Sequence, residues 1–332
     1  MPASPSQRLV ATPPTVLAGH EAAVYALAPF GDGVLSGGGE GYVVYWPLGG
    51  APDAVPAGRV VARVDDRVFC LHVDEAAARL WVGTLSGDVY CVGLAGGRGE
   101  GAAAAAPRRW RFHRDGVFAL ARAGSRGGVL AAGGDGRVSR WAPDGSRMLA
   151  FAEVDPTRVR SLRWLAGAGL LAAGTAGGDV HLLEPARLRA VHTIARAHEA
   201  TVFTLASPRP GLLLSAGRDG AIRAWRAGGA SAPFAQAGHV AAHAATVNAL
   251  AFDARTGLLA SAGRDRDVRL WRVLAEAAAS DSTRAGVVDL ELAKVLTGPR
   301  DGGHAASANA ATWTRYGLVT AGDDRSVRFW PA

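Results

Sequence analysis

The chain has 332 residues, of which 49% are hydrophobic and 20% are charged, and its net charge is +7; this composition excludes disorder and low complexity as the main state. No run approaches the roughly 18–20 consecutive apolar residues of a membrane span, and residues 1–8 lack the apolar segment of a secretory signal. Two cysteines are too few for a disulfide framework, so the sequence predicts a soluble, cytoplasmic protein.

Arginine supplies nearly all of the positive charge. Of the 36 basic residues, only Lys294 is a lysine. The arginine excess accompanies 44 glycines and many alanines, which is typical of a GC-rich coding sequence. A basic total indicates nucleic-acid binding only where the charges cluster on one surface. Nucleic acid is therefore kept as an alternative partner class rather than the first.

One phrase of eleven residues recurs from the start of the chain to its end. The first copy is Ser-Gly-Gly-Gly-Glu-Gly-Tyr-Val-Val-Tyr-Trp at residues 36–46. In chain order, the copies end at Trp46, Val92, Trp141, Leu183, Trp225, Trp271 and Trp330. The intervals are 46, 49, 42, 42, 46 and 59 residues, so the chain contains seven repeats.

Each repeat shows the pattern of four short strands. In the first repeat, His20 precedes the segment Val24–Leu27, an apolar run follows a Gly-Asp-Gly turn, and alternating residues lead to Trp46. Alternation with a period of two, bounded by glycine turns, is the strand signal. Four strands in about 40–45 residues match one blade of a β-propeller.

These repeats resemble those of the WD-repeat β-propeller family, and the resemblance covers residues 15–332. It implies an all-β, seven-bladed propeller with four antiparallel strands per blade, preceded by a flexible N-terminal tail at residues 1–14. The sequence departs from the family in one respect, because no repeat Trp is followed by Asp. The chain ends on the third strand of the last blade, so Thr15–Ala18 is expected to supply the fourth strand and close the ring.

The resemblance also implies a structural tetrad in which the turn Asp binds the His, the His binds a hydroxyl and the hydroxyl binds the Trp nitrogen. The complete sets are His198, Ser215, Asp219 and Trp225; His243, Ser261, Asp265 and Trp271; and His304, Thr320, Asp324 and Trp330. Each set also resembles a hydrolytic triad. Three triads at one repeat position indicate scaffolding, in which the bonds satisfy buried polar groups. The second and fourth blades lack the set and are expected to rely on apolar packing.

Other motifs have plain structural interpretations. The glycine-rich residues 37–41 and 133–136 precede strands rather than helices, so they are interpreted as tight turns and not as phosphate-binding loops. Cys70 and Cys91 fall on the predicted first and third strands of the second blade and are expected to be free, buried thiols. No cluster of His, Cys and Asp has metal-ligand spacing, so neither a metal nor a cofactor is predicted.

Three segments fall outside the repeats. Gly93–Pro107 and Ala275–Val288 are predicted loops. Thr297–Gly303 precedes the seventh His, and the resemblance places this connection on the top face of the ring. Arg300 and Asp301 either touch a partner there or lie in a solvated loop.

The resemblance implies that partners dock on the top face, at positions that flank the first-strand Val or precede the turn acid. Carried over to this sequence, these positions are Tyr25, Arg67, Phe69, Phe118, Arg158, Arg160, Phe203, Arg218, Asn248, Arg264, Asn309 and Asp323. Aromatic residues and arginine are enriched at binding hot spots, so an acidic protein segment with apolar anchors is the expected partner. In the alternative, Phe69, Phe118 and Phe203 pack inward between blades and leave only the charges exposed.

Three classes of function remain. A non-enzymatic scaffold for protein–protein interaction is the first, because no reactive constellation is unique in the chain. A nucleic-acid-binding propeller is the second, and its affinity would fall with salt in proportion to the phosphates neutralised. A propeller enzyme is the third. It would need acids, His or a metal around the axis, where the inferred residues are arginine, asparagine, small or aromatic.

Overall fold

The computed structural model describes residues 13–50, 55–94, 107–124, 127–228, 234–274 and 287–332. Within these ranges the chain forms 28 strands and one short helix. Most of the predicted N-terminal tail lies outside the described residues, as do most of the predicted loops at residues 93–107 and 275–288. None of the described helices is long and apolar enough to cross a membrane.

The strands form seven antiparallel sheets of four. Blade 1 contains β2 (Val24–Phe30), β3 (Gly33–Gly38), β4 (Tyr42–Pro47) and β5 (Arg59–Arg63). Blade 2 contains β6 (Val68–Asp74), β7 (Arg79–Thr84), β8 (Asp88–Gly93) and β9 (Arg108–Arg111). Blade 3 contains β10 (Val117–Arg122), β11 (Val129–Gly133), β12 (Arg137–Trp141) and β13 (Met148–Glu153). Blade 4 contains β14 (Val159–Leu165), β15 (Leu170–Thr175), β16 (Val180–Glu184) and β17 (Arg189–Ile194).

The remaining sheets repeat this order. Blade 5 contains β18 (Val202–Arg209), β19 (Leu212–Gly217), β20 (Ala221–Ala227) and β21 (Phe234–Ala241). Blade 6 contains β22 (Val247–Asp253), β23 (Leu258–Gly263), β24 (Val268–Leu274) and β25 (Asp289–Leu296). Blade 7 contains β26 (Ala308–Thr314), β27 (Gly317–Gly322), β28 (Val327–Pro331) and β1 (Thr15–Leu17), and the helix α1 (Gly298–Asp301) precedes it.

The first strands of the blades form a closed cycle. Each of β2, β6, β10, β14, β18, β22 and β26 contacts the first strand of the next blade, and β26 contacts β2. These strands surround a central axis, so the fold is the predicted seven-bladed β-propeller.

An N-terminal strand closes the ring, as predicted. Strand β1 pairs antiparallel with β28, with Thr15 opposite Phe329 and Leu17 opposite Val327. The strand ends at Leu17, one residue earlier than expected. Leu17 is completely buried and packs in an apolar cluster with residues of blades 7 and 1. The pairing removes a free edge from the last sheet.

The hydrophobic core lies between neighbouring blades. One cluster joins Leu35 and Val43 of blade 1 to Val68 and Leu80 of blade 2. Most second strands are buried along their whole length, because they lie inside the sheet and both of their faces meet another blade. Each blade therefore covers the face of the next.

In blades 1 to 5, the turn between the second and third strands lies against the chain that leads into the next blade. Gly220 has a φ of +73°, which favours glycine, and its carbonyl accepts a hydrogen bond of 2.9 Å from the backbone of His243 in the next blade. A Cβ on Gly220 would lie 2.5 Å from the carbonyl oxygen of His243. Gly41 and Gly136 in the predicted glycine turns also have positive φ and the same close approach to the following blade.

Candidate functional site

The structure brings together the three tetrads that the resemblance implies. In blade 5, His198 Nδ1 lies 3.0 Å from Asp219, His198 Nε2 lies 2.7 Å from Ser215 Oγ, and Trp225 Nε1 donates to Ser215 Oγ at 2.8 Å. In blade 6, the distance from His243 to Asp265 is 2.9 Å, that from His243 to Ser261 is 2.7 Å, and that from Trp271 to Ser261 is 2.9 Å. In blade 7, the distance from His304 to Asp324 is 3.0 Å, that from His304 to Thr320 is 2.9 Å, and that from Trp330 to Thr320 is 3.1 Å.

When the imidazole is neutral, the hydrogen bonds of such a tetrad form a chain in which each group donates to the next. Trp225 donates to Ser215, Ser215 donates to Nε2 of His198, and Nδ1–H of His198 donates to Asp219. Burial lowers the pKa of His198 despite the opposing effect of Asp219, which favours the neutral imidazole. The tetrad hydroxyl is completely buried, so these bonds satisfy groups that water does not reach.

Two further tetrads escaped the sequence analysis. In blade 1, Glu40 replaces the aspartate and bonds His20, while Trp46 donates to Ser36 Oγ at 2.7 Å. The first repeat contains His20, Ser36 and Trp46 at the tetrad positions, but it was not recognised as a complete set because Glu40 stands where the other repeats have aspartate.

In blade 3, the hydroxyl comes from the third strand instead of the second. Ser139 Oγ lies 3.0 Å from His113 Nε2 and accepts from Trp141 Nε1 at 2.9 Å, and Asp135 bonds the other nitrogen of His113 at 3.0 Å. Residue Ala131 stands where the repeat pattern expects this hydroxyl.

Blades 2 and 4 lack the tetrad in different ways. In blade 2, Val82 and Val92 occupy the hydroxyl and Trp positions and pack with Val64 in the cluster between blades 1 and 2, as expected. In blade 4, Ala173 and Leu183 also pack in an apolar cluster.

The expectation of apolar packing alone was incomplete for blade 4, because a different polar group stands there. His181 Nε2 lies 2.8 Å from Asp155 Oδ2, and its Nδ1 lies 2.9 Å from Thr193 Oγ1. Asp155, Asp179 and His181 place potential metal-ligand atoms within 4.8 Å of one another, although their sequence spacing gave no such signal. Backbone N–H groups of Thr157 and Arg196 donate to Asp155 and Asp179, so these atoms already have protein partners.

The top face is the face that carries the turns between second and third strands and the connections between blades. Seven of the predicted partner-binding residues share one place on it, as the second residue of each first strand. They are Tyr25, Phe69, Phe118, Arg160, Phe203, Asn248 and Asn309. All seven are half-buried, and they surround the upper mouth of the axis. We call them the rim.

Aromatic rings follow one another along half of the rim. The rings of Tyr25 and Phe69 stack at a centroid distance of 4.8 Å with an interplanar angle of 9°. Phe69 meets Phe118 edge-on at 5.7 Å. The three rings therefore contact one another across blades 1 to 3 while each keeps an exposed part.

Arg160 continues this row between two rings. Its guanidinium carbon lies 3.7 Å from the ring centroid of Phe118 and 5.0 Å from that of Phe203. Burial, followed by the charge of Arg158, lowers the pKa of Arg160 to about 10, so the side chain keeps its charge at neutral pH. Its Nε is buried and has no hydrogen-bond partner in the described part of the chain. The aromatic residues thus pack against one another across the blades and enclose the single guanidinium of Arg160, while each ring keeps an exposed part.

The two asparagines of the rim are held by hydrogen bonds. Asn248 Nδ2 donates to Ser307 Oγ at 3.0 Å and to the carbonyl of Ala308 at 2.9 Å. Asn309 Nδ2 donates to Asp323 Oδ1 at 2.6 Å and to the carbonyl of Val24 at 3.2 Å. This side of the rim is polar, and its side chains already have protein partners.

The remaining predicted arginines stand outside the rim and are exposed. Arg158 forms an ion pair with Asp115 at 3.1 Å. For Arg67, Arg218 and Arg264, no ion pair is found among the residues that the structure describes. The exposed acid of the predicted set, Asp323, is bonded to Asn309.

The side chains of the seventh connection bond within it. Arg300 Nε lies 3.1 Å from Asp301 Oδ2, and Arg300 Nη2 donates to the carbonyl of Val295 at 2.6 Å. Asp301 also accepts from the backbone N–H of Thr297 at 2.9 Å. These contacts fit the solvated-loop interpretation of the segment.

Comparisons with known proteins agree with this geometry. Residues 189–226 and 235–272 match the family model "WD domain, G-beta repeat". The fold is similar to the WD40 β-propeller domain of Doa1, with 20% identity, 95% of each chain covered and a TM-score of 0.75. It is also similar to a chain of the mitotic checkpoint complex, with 16% identity, 96% of this chain and 93% of that chain covered, and a TM-score of 0.72. No curated protein sequence matches the chain.

Proposed function

We propose that this seven-bladed β-propeller, two of whose repeats match the WD-repeat family model, is a non-enzymatic scaffold that binds an acidic protein segment with apolar anchors on its top face. WD-repeat propellers are typically protein-interaction scaffolds. One structural neighbour was solved as part of the mitotic checkpoint complex. Fold alone does not identify a partner, so the chemistry of the proposed partner comes from the rim.

The row Tyr25–Phe69–Phe118–Arg160–Phe203 carries the proposal. Stacked rings present a rigid apolar surface, which loses little conformational entropy when a side chain packs on it. Aromatic residues and arginine also dominate binding hot spots. An aromatic or large aliphatic side chain of the partner packs against this row.

Charge determines the rest of the partner segment. Arg67, Arg218 and Arg264 are exposed around the rim without an ion pair to any described residue, and Arg160 is charged within it. Guanidinium groups bind carboxylates through two parallel hydrogen bonds. Aspartate or glutamate residues that flank the apolar anchor therefore complement the top face.

The test measures binding of fluorescent peptides by polarisation. One peptide combines acidic residues with a central Phe, a second replaces the Phe with Ser, and a third replaces the acids with Lys. The wild-type protein is expected to bind the first peptide best. Arg218→Glu/Arg264→Glu should weaken that binding by about tenfold or more, because each new carboxylate repels the peptide.

Arg187→Glu/Arg189→Glu is the matched control, since it makes the same change of charge at two exposed residues of the hairpin formed by β16 and β17. It should leave binding nearly unchanged. The proposal fails if the acidic peptide does not bind, if both double variants bind alike, or if Phe69→Ala has no effect. Preferential binding of duplex DNA over the acidic peptide, with an affinity that falls steeply with salt, would favour the nucleic-acid alternative.

A further inference from the structure

Two adjoining cavities open on the bottom face, opposite the rim. One has a volume of about 480 Å³ and lies at the lower mouth of the axis, between the ends of β10, β14 and β18. The other has a volume of about 630 Å³ and lies between blades 3 and 4. They share Arg122 and Trp164 in their walls. Both are in the range of small-molecule sites, and we call them together the bottom cleft.

Positive charge converges on the bottom cleft from blades 3, 4 and 5. Arg122 belongs to both cavities, Arg140 lines the cavity between the blades, and Arg163 and Arg209 line the axial cavity together with His72. None of the described residues that line either cavity is acidic. The cleft is thus lined by four arginines and Trp164, and no described carboxylate lines it.

These arginines are poorly neutralised by the protein. Arg140 Nε is buried and has no hydrogen-bond partner among the described atoms. The Nε of Arg122 donates to the carbonyl of Gly124 at 3.0 Å. This bond positions the side chain but does not neutralise its positive charge, because a carbonyl carries no net charge. No ion pair is found between any of the four arginines and an acid of the described chain. A bound anion would supply the countercharge that these arginines lack and could accept hydrogen bonds from their guanidinium groups.

Two titratable groups share this environment. Burial lowers the pKa of Arg163, and no acidic neighbour opposes this effect, although the side chain is exposed to solvent within the cleft. Burial lowers the pKa of His72 as well; Asp74 opposes the shift and the charge of Arg122 adds to it. Asp74 lines neither cavity. The cleft is thus a concave, positively charged surface, and such a surface attracts anions.

We propose that the bottom cleft binds a small organic molecule that carries at least two phosphate groups. A phosphate monoester carries about −1.5 to −2 charges at neutral pH, so two such groups balance four arginines. Guanidinium forms paired hydrogen bonds with phosphate oxygens. Trp164 stands between the two cavities and offers an apolar surface for the carbon skeleton that links the phosphates. The site is independent of the top face, so it goes beyond the proposed scaffold function.

Calorimetric titration of the full chain with fructose 1,6-bisphosphate tests the proposal. Fructose is the control without phosphate, and citrate is the control with carboxylates. The bisphosphate is expected to bind with one molecule per chain, and fructose is expected not to bind. Arg163→Gln/Arg209→Gln should weaken binding by at least about tenfold, because each lost guanidinium removes charge-assisted hydrogen bonds.

Arg218→Gln/Arg264→Gln is the matched control, since it removes the same charge from the top face. It should bind the bisphosphate like the wild type. A thermal melt of Arg163→Gln/Arg209→Gln separates lost binding from lost folding: the melting temperature without ligand should not fall, because neither arginine forms an ion pair with a described residue. With the bisphosphate, the wild-type melting temperature should rise and that of this variant should not.

Three results would overturn the proposal. The first is a wild type that does not bind the bisphosphate. The second is equal weakening in both double variants, which would indicate attraction to net charge rather than a site. The third is citrate that binds as tightly as the bisphosphate, which would replace phosphate with carboxylate chemistry. None of these results bears on the acidic peptide, whose binding is measured separately at the rim.

Discussion

Ser139 lies directly opposite Ala131 in the ladder between β11 and β12. Its hydroxyl completes the tetrad of blade 3 from the third strand of the blade rather than the second. In four other blades the second strand supplies that hydroxyl, from Ser36, Ser215, Ser261 and Thr320. Opposite residues of an antiparallel pair share one face of the sheet. The hydroxyl can therefore change strands and still reach both the His and the Trp.

Ser139→Ala should lower the free energy of unfolding by about 1–3 kcal/mol, because it leaves buried nitrogens of His113 and Trp141 without their partner. Urea titration measures the change.

The double variant Ala131→Ser/Ser139→Val is the matched control. It copies blade 1, where Ser36 on the second strand stands opposite Val44. Most of the lost stability should return, since the hydroxyl is restored on the same face. A double variant no more stable than Ser139→Ala would contradict the interchange of strands.

The turn residue Arg325 adopts a left-handed conformation with a φ of +62°, at the place where five other blades have glycine. A side chain in this region costs roughly 1–2 kcal/mol. Arg325→Gly should therefore raise stability by up to about 1 kcal/mol, after the entropy that glycine loses on folding is subtracted. Differential scanning calorimetry detects the change.

Gly220→Ala is the converse test at the equivalent turn of blade 5. Its Cβ would lie 2.5 Å from the carbonyl oxygen of His243, so the variant should be less stable than the wild type by more than about 1 kcal/mol. Equal stability of Gly220→Ala and wild type would show that the turn tolerates a side chain.

Closure of the ring depends on a strand of three residues. Leu17→Ala should cost about 2–5 kcal/mol, because Leu17 is completely buried between blades 7 and 1. Val16 is 43% exposed on the same strand, so Val16→Ala is the control and should cost less than about 1 kcal/mol. Deletion of residues 1–18 removes β1 and should destabilise the whole protein in a thermal melt. An unchanged melting temperature after the deletion would contradict the role of this pairing.

The repeat phrase sufficed to predict the fold because its information is local. Alternating residues and glycine turns specify each sheet, and seven copies specify the ring. Ser139 was missed because the pattern was compared position by position along the chain, whereas its role depends on the register between two strands. Asp155 precedes β14 and His181 lies on β16, so the two meet only when the strands of blade 4 have paired. The bottom cleft has the same origin, because its arginines come from four strands.

Both cysteines should resist thiol reagents in the folded protein. Cys70 on β6 and Cys91 on β8 are free and buried, with β7 between their strands. Burial raises the pKa of each thiol, although neighbouring arginines oppose the shift, so the reactive thiolate is scarce at neutral pH. Maleimide labelling followed by mass spectrometry should detect no label after a short reaction in buffer and two labels after the same reaction in urea. Rapid labelling of the folded protein would contradict the described burial.

The tetrads make stability depend on pH. Burial lowers the pKa of His113 and His198 despite the opposing effect of Asp135 and Asp219. Burial alone would raise the pKa of the tetrad aspartates, but hydrogen bonds from the imidazole and the backbone outweigh it and hold the pKa of Asp219 below its usual value. Both kinds of group bind fewer protons in the folded state than in the unfolded state at acidic pH.

Stability should therefore be full above about pH 7 and fall in two ranges as the pH is lowered. The first loss begins near pH 6.5, where unfolded histidines take up protons, and the second near pH 4, where unfolded aspartates do. Urea titrations at pH 8, 6, 5 and 4 should show a midpoint that decreases at each step. Asp219→Asn should be less stable than the wild type at pH 8. It should also lose less stability between pH 5 and pH 4, because it lacks one carboxyl group whose pKa is lowered by folding. A wild-type midpoint that is constant or rises on acidification would contradict neutral imidazoles bonded to charged carboxylates.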